Sequence, residues 1–498
     1  MKLVENGFRL ECTPENTLDV VKLDRLRNRF TSKKEVNKYK TIVMEDDKYF
    51  YITKGDMLII SNTQKEEMVK YLGSYDSIPV NYPIELVKRK DTLCPIKLSL
   101  KKGMALRDDI QEKYGEYLNT DGDRKLCRMQ TGKGKTGSTI ISILNMKTVN
   151  RIGVLLAPKY FLIWIDAFKK FTNIRDDEIY IIRGRESLYN INKLRTSNYK
   201  LVLFSTDTTR YLLKDYENDE EDECSPDPID ILPLLGIEYL VVDESHEDFN
   251  NIYRHVLHLN PVKLVCLSAT YESFNDADII KKFKRVLFPE EIRMTEAELD
   301  KYVNVILLQF KFNRIETLKY LIPQKKWYSH TLLESNILKN ESRKTNYFDL
   351  ILYGMERYYI GTGRMLILFS TVAMVKEFKS YLDKIDKYKQ KNIMTMVQGD
   401  NKAVSMTADI IISTDKSAGT GVDINNLPLT INTINGGSEY ATIQGMGRNR
   451  KIDGKEVYFI NLWAVNIPKH EKYIKTKKRT FRDRAKSMIT TFYVDKEI

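Results

Sequence analysis

The hydrophobic and polar positions of this chain follow one period near its start and another from about Met104 onward. Residues 1–95 alternate apolar and polar side chains in short pieces such as GFRLEC, YKTIVME and KYFYITKGDMLIIS. That is the two-residue period of half-buried strands, and helix-like stretches accompany it at 18–30 and 65–72. A small α+β accessory domain without catalytic residues is predicted there, followed by a lysine-bearing linker at 95–103. Beyond the linker, near-continuous apolar strands alternate with helices: KLCRM, IGVLLAP, LVLFST, IEYLVVDE and KLVCLSAT, then MLILFS, NIMTMVQG, ADIIIST, LTINT and EVYFINL. Such runs read as parallel sheets covered by helices on both faces. The expected fold class is α/β, with two tandem sheet domains at 96–290 and 291–498 behind the accessory domain at 1–95. YFLIWIDAFKKF reads as an amphipathic helix, and the acidic tract DYENDEEDE (215–223) as a mobile surface loop.

Composition narrows the class. A chain of 498 residues holds roughly three domains. Its 42% hydrophobic and 30% charged residues fit packed cores with a water-facing surface. The formal net charge of +12 favours a polyanionic partner. Part of the excess lies in the last 35 residues, with ten Lys/Arg against four Asp/Glu, which reads either as a solvated helix face or as a nucleic-acid contact. The five cysteines include no Cys-x-x-Cys pair, so zinc and a disulfide framework are not expected and a reducing compartment is. No signal peptide is read at MKLVENGFRLEC, and no apolar run approaches the roughly 18 residues of a membrane span. The expectation is a soluble cytoplasmic protein, in the host cytoplasm if phage-encoded, with no membrane partner.

Candidate chemistry sits at strand ends. In MQTGKGKT (129–136) a strand runs into a Gly-rich loop that opens a helix, so Gly132, Lys133, Gly134, Lys135, Thr136 and Gly137 offer backbone N–H groups and a helix start to phosphates. Lys135 is expected on the β/γ-phosphates and the Thr136 hydroxyl on Mg²⁺. Asp243 and Glu244 end the strand IEYLVV, where ligands of open α/β sheets bind. Asp243 is expected to hold the metal and Glu244 to orient or deprotonate the attacking water. His246, Ser268 and Thr270 are candidate coupling residues beside that acidic pair. The second sheet has no phosphate loop, so it is expected to act on the first domain's nucleotide. Gln444, Arg448, Arg450 and Lys451, expected at the start of a helix after NGGSEYATI, are its source of positive charge for the γ-phosphate. Gly419, Gly421 and Asp423 form a turn suited to close approach to a backbone or ribose.

Taken in order, these blocks resemble the superfamily 2 helicase/translocase core. MQTGKGKT matches motif I, APK (157–159) motif Ia, STDTT (205–209) motif Ib, DESH motif II and LSAT motif III. LILFS matches motif IV, SAGTGVD motif V and QGMGRNRK motif VI. The resemblance spans about 104–462 and implies two RecA-like domains, ATP with Mg²⁺ at the cleft between them, and nucleic acid lying across both. It assigns phosphate contacts to Lys159, Ser205, Thr206, Ser370, Thr371 and Thr414, hence largely sequence-independent binding that weakens with salt. ALRDDIQ resembles an adenine-reading motif with one residue inserted, which makes Gln111 the adenine contact. Motif VI departs as well: its last Arg falls on Lys451, with Arg450 one residue early, and either could be the second finger. The APKYFLIWIDAFKKF block is similar to Swi2/Snf2 translocases, and the layout resembles phage UvsW-type fork-remodelling helicases. The function expected is an ATP-dependent DNA helicase on forked or branched duplex, with replication or recombination proteins as possible partners. The alternatives are an RNA helicase or transcript-release motor, and a nucleic-acid-binding protein with a decayed ATPase. A simple P-loop kinase would not need the second sheet.

Overall fold

In the first half of the chain, strands rich in Val, Ile and Leu assemble into a seven-stranded sheet whose neighbours are all parallel. Across it run Ile179–Ile182, Leu201–Ser205, Arg151–Leu156, Ile237–Val242, Lys263–Ser268, Arg124–Arg128 and Ile292–Arg293. Leu240, Val241 and Val242 have no exposed surface, as expected for a strand covered on both faces. The computed structural model describes residues 1–498 except 39–40, 75–81, 88–97, 131, 147–150, 195–196, 221–225, 270, 272–275, 289–290, 296–297, 323–326, 401 and 419–423. It divides into two compact units, Met1–Met294 and Thr295–Ile498.

The second unit carries its own seven-stranded parallel sheet: Ile393–Met396, Ile410–Thr414, Met365–Phe369, Leu429–Asn432, Val457–Ala464, Val303–Phe310 and Ser487–Phe492. Numbering each sheet's strands in chain order, both read 3-4-2-5-6-1-7 across the sheet. The expected tandem RecA-like architecture is therefore present, and the two halves share one topology. The first strand, Val303–Phe310, and the last, Ser487–Phe492, were not among the expected strands. The last lies outside the apolar pattern because it is an edge strand, with Ile489 and Phe492 exposed.

The N-terminal region forms a five-stranded sheet, Ile52–Lys54, Met57–Ser61, Arg9–Thr13, Lys2–Asn6 and Ile84–Leu86, with helices Thr17–Arg29 and Lys65–Gly73. Its core is continuous with that of the first parallel sheet. Phe50 stacks on Phe283 at 4.1 Å between ring centroids, and the Asn260 side chain accepts from the Phe8 backbone N–H at 2.9 Å. Part of the acidic tract also differs from its expected form. Asp215–Glu217 closes the helix Thr206–Glu217, where Glu217 accepts from Arg254 and lies 2.7 Å from His258 Nε2. Arg254 and His258, both on the helix Phe249–Leu259, hold it; residues 221–223 of the tract lie outside the described residues.

Candidate active site

The phosphate loop follows the strand Arg124–Arg128 and opens the helix Lys135–Asn145. Gly134 precedes that helix in the left-handed region (φ +88°) and gives it no side-chain cap, so the helix's first N–H groups face the loop. At this φ glycine is favoured for conformation, and a Cβ on Gly134 would lie 2.6 Å from Gln111 Nε2 and displace that side chain. Gln111 is buried and braces the loop. Its Nε2 donates to the Lys133 carbonyl at 2.8 Å and its Oε1 accepts from the Arg107 N–H at 3.0 Å. The Arg107 guanidinium donates to the same Lys133 carbonyl at 3.0 Å.

The strand Ile237–Val242 delivers the acidic pair to the same edge of the sheet. Lys135 Nζ lies 3.0 Å from Glu244 Oε1, and His246 Nδ1 lies 3.2 Å from Glu244 Oε2 and 2.9 Å from Ser268 Oγ. Three separate chain segments thus converge within hydrogen-bond reach. Glu244 has φ +49°, a left-handed conformation that a non-glycine residue holds only when its surroundings enforce it. Here Ser245 on one side donates from N and Oγ to the Leu267 carbonyl. Both Asp243 oxygens are engaged: Oδ1 accepts from the Glu244 N–H at 2.9 Å and Oδ2 from the Trp164 indole N–H at 2.8 Å.

Electrostatics separates the two carboxyls. Burial, reinforced by the Glu244 charge, pushes Asp243 up to about 6, while Lys135 and the Trp164 N–H act the other way. Burial also opposes the charge on Glu244, but Lys135 and then His246 hold its pKa below the usual range. Burial brings His246 down to about 4, against the pull of Glu244, so at neutral pH it is an uncharged imidazole. Asp243 at the strand end and Thr136 in the first turn of the helix Lys135–Asn145 are of the residue types Mg²⁺ takes, since it binds through one or two carboxylates together with phosphates and water rather than an all-protein cage. No cluster of three or more His, Cys, Asp or Glu side chains suited to a metal occurs among the described residues.

The expected nucleic-acid contacts divide. Lys159 is paired with Glu247 at 3.0 Å, and Thr206 lines an open depression with Tyr160, Arg210, Asp243, Glu244 and Glu247. Ser205 is buried and its hydroxyl caps the following helix by accepting from the Thr208 N–H. Thr270, Gly419, Gly421 and Asp423 lie outside the described residues.

In the second unit, Ser370 and Thr371 form the turn after Met365–Phe369, and their N–H groups both donate to the buried Glu334 carboxylate at 2.7 Å. The Thr414 hydroxyl donates to Ser417 Oγ at 2.9 Å. These four residues do not open a helix as expected: Ser438 caps the helix Glu439–Met446 earlier in the chain, so Gln444 lies in its last turn and Arg448, Arg450 and Lys451 follow its end. Arg450 Nη1 donates to the Gly447 carbonyl at 3.1 Å. Arg448 Nη1, by contrast, is buried with no hydrogen-bond partner among the described residues, and burial lowers that guanidinium to about 10 against the pull of Asp415.

Sequence reasoning missed Trp164, Arg107 and Glu334. Trp164 sat inside an apolar helical stripe and looked like core alone. The polar partners of all three lie in other segments of the chain.

Residues 108–277 match the DEAD/DEAH box helicase family. The matched stretch is about a third of the chain and contains the phosphate loop, the acidic strand end and Ser268. Over that stretch the chain is similar to a DEAD/DEAH box helicase domain. No curated protein matches the chain. Among solved structures, Dbp5 of S. cerevisiae bound to RNA and ADP BeF3 aligns at 14% identity, covering 77% of this chain and 89% of that one, with a TM-score of 0.49. A DEAD box protein from the hyperthermophile Methanococcus jannaschii aligns at 15% identity, covering 80% and 100%, with a TM-score of 0.41. Among the described residues no helix is long and apolar enough to cross a membrane.

Proposed function

We propose that this protein is an ATP-driven nucleic-acid motor of the helicase type. The observation that carries the reading is the convergence of Lys135, Glu244, His246 and Ser268 within 3.0, 3.2 and 2.9 Å of one another in sequence, with Asp243 alongside. Lys135 neutralises the β/γ-phosphates. As it turns to them it releases Glu244, which then takes the proton of a water attacking the γ-phosphorus while the bond to ADP breaks. Asp243 and Thr136 would hold Mg²⁺, which would supply shielding of the phosphate charge. Neutral His246 stays hydrogen-bonded between Glu244 and Ser268 and ties the water-activating carboxylate to the strand Lys263–Ser268. Arg448, with its unpartnered buried N–H, is the better candidate than Arg450 or Lys451 for the charge supplied to the transferred phosphoryl group. Gln111, which already binds the phosphate loop, is the proposed adenine contact.

The substrate is nucleic acid held by Lys159, Thr206, Ser370, Thr371 and Thr414. Two substrate readings are carried forward. Branched DNA rests on the Ia block and the basic C-terminal helix, and nothing in the comparisons supports UvsW-type or Swi2/Snf2 kinship, repair, recombination or replication. RNA, the alternative reading, is the ligand of a fold neighbour and fits the family match better. ATP turnover measured alone and then with single-stranded DNA, duplex DNA, forked DNA and RNA decides between them. We expect stimulation by nucleic acid, with the strongest stimulator naming the substrate; no stimulation by any of the four sinks the motor reading. Lys135→Ala is expected to lower turnover by about 100-fold or more while nucleic-acid binding persists.

A further inference from the structure

The helix Phe161–Phe171 turns Phe161, Trp164 and Phe168 inward, at the i, i+3, i+7 spacing of a buried stripe, and leaves Leu162 72% exposed. Packing alone would be met by any large apolar ring at 164. An indole differs in carrying one N–H that must find an acceptor when buried. Trp164 has no exposed surface, and its N–H donates at 2.8 Å to Asp243 Oδ2, on the strand end that supplies the metal-binding carboxylate.

The helix that carries this indole is fixed at both ends. At its start, Tyr160 Oη donates to Glu247 Oε1 at 2.9 Å and Lys159 Nζ lies 3.0 Å from Glu247 Oε2. At its end, the Phe171 ring packs against Gly137 of the phosphate-loop helix so closely that a Cβ there would lie 2.7 Å from it. The indole is thus held relative to both the phosphate loop and the acidic strand. With Oδ1 taken by the Glu244 N–H, the indole bond to Oδ2 fixes the rotation of the carboxylate about χ2.

We infer that Trp164 is a positioning residue for the metal, its indole N–H presetting the Asp243 carboxylate for Mg²⁺. This rests on the reading of Asp243 as the Mg²⁺ holder. Outer hydrogen bonds of this kind typically change metal affinity by about 10–100-fold when removed.

The test uses full-length protein and binding rather than turnover. Binding of a fluorescent ADP analogue is followed while Mg²⁺ is titrated, for the wild type and for Trp164→Phe, which keeps an apolar ring and removes the N–H. The expected result is an Mg²⁺ half-saturation raised about tenfold in Trp164→Phe, with analogue affinity in the absence of Mg²⁺ unchanged. An unchanged Mg²⁺ half-saturation in a variant with wild-type circular dichroism overturns the inference. A wild type that binds no Mg–ADP overturns the ATP reading beneath it instead. Should Trp164→Phe fail to fold, tryptophan-labelled wild-type protein supplies the second measurement. Its three indoles, Trp164, Trp327 and Trp463, give three N–H resonances. One slowly exchanging resonance is expected to move with Mg–ADP and not with ADP plus chelator, and three that respond identically to both overturn the inference.

Discussion

Single residues divide by whether their chemistry depends on a partner nearby in sequence. Gly134 and Lys135 were legible because loop, glycine and helix start are contiguous. The acidic pair was legible because it ends an apolar strand. Trp164 and Arg448 were half-legible at best: the acceptor of one and the missing partner of the other are set by segments far apart in the chain. Lys477 is the clearest case of a charge invisible in sequence. It belongs to a basic run, yet it is 3% exposed, donating to Asn461 Oδ1 at 2.7 Å and the Ile434 carbonyl at 3.1 Å. Burial lowers its pKa to about 7. Below that pH the lysine is protonated in both folded and unfolded chains, and the folded state bears the full cost of a buried charge. As pH rises from about 7 toward 10.5 the unfolded chain binds more protons than the folded one, so the lysine's contribution to stability rises with pH. We expect Lys477→Met to reduce the gain in stability between pH 7 and 9 by up to about 2 kcal/mol relative to wild type. Denaturant melts of both proteins at the two pH values check this, and identical pH dependences would refute it.

At the scale of elements, the C-terminal stretch shows how pattern and role diverge. The helix Pro468–Arg484 buries His470, Ile474, Lys477 and Phe481, and the strand Ser487–Phe492 completes the second sheet beside Val303–Phe310. The chain end is tied down as well, with the Ile498 carbonyl accepting from the Asn313 N–H at 2.8 Å. Removing the tail would therefore unfold part of the unit. The outward face is a different matter: Lys472, Lys475, Arg479 and Arg482 recur at three- and four-residue steps and are all exposed, which is one stripe of a helix. A phosphate backbone lying along this stripe would release about 0.7–0.9 counterion per cation engaged. Replacing all four by Gln is expected to weaken nucleic-acid binding and to flatten the slope of log affinity against log salt by about 3, with circular dichroism unchanged. An unaltered slope would return the stripe to a solvated face. The run of positive residues was plain in the sequence, but it took the helix to separate the four outward cations from buried Lys477.

For the whole molecule, the sequence's alternation of apolar strands and helices was sufficient to predict two parallel sheets, because burial on both faces leaves near-continuous Val, Ile and Leu runs. It did not reveal that both sheets share the order 3-4-2-5-6-1-7, since order depends on contacts between strands distant in the chain. The edge strand Ser487–Phe492 escaped for the opposite reason: half-exposed, it lacks the apolar signature. Each unit has cores of its own, and the accessory strands merge into the core of the first. Units with separate cores unfold as separate cooperative steps. Calorimetry of the full chain should therefore resolve two transitions. The residues proposed to bind nucleotide from Gln111 to Ser268 all belong to the first unit, so only a ligand grip on that unit is needed to stabilise it. Mg–ADP at about 100 times its Kd adds about 2.7 kcal/mol to whatever binds it, which for a unit of this size is an upward shift of roughly 4–5 °C. We expect one transition to move by that amount, and Lys135→Ala to abolish the movement while leaving both transitions in place. A single transition would show that the units unfold together despite their separate cores. A shift that persists in Lys135→Ala would place the nucleotide somewhere other than the phosphate loop.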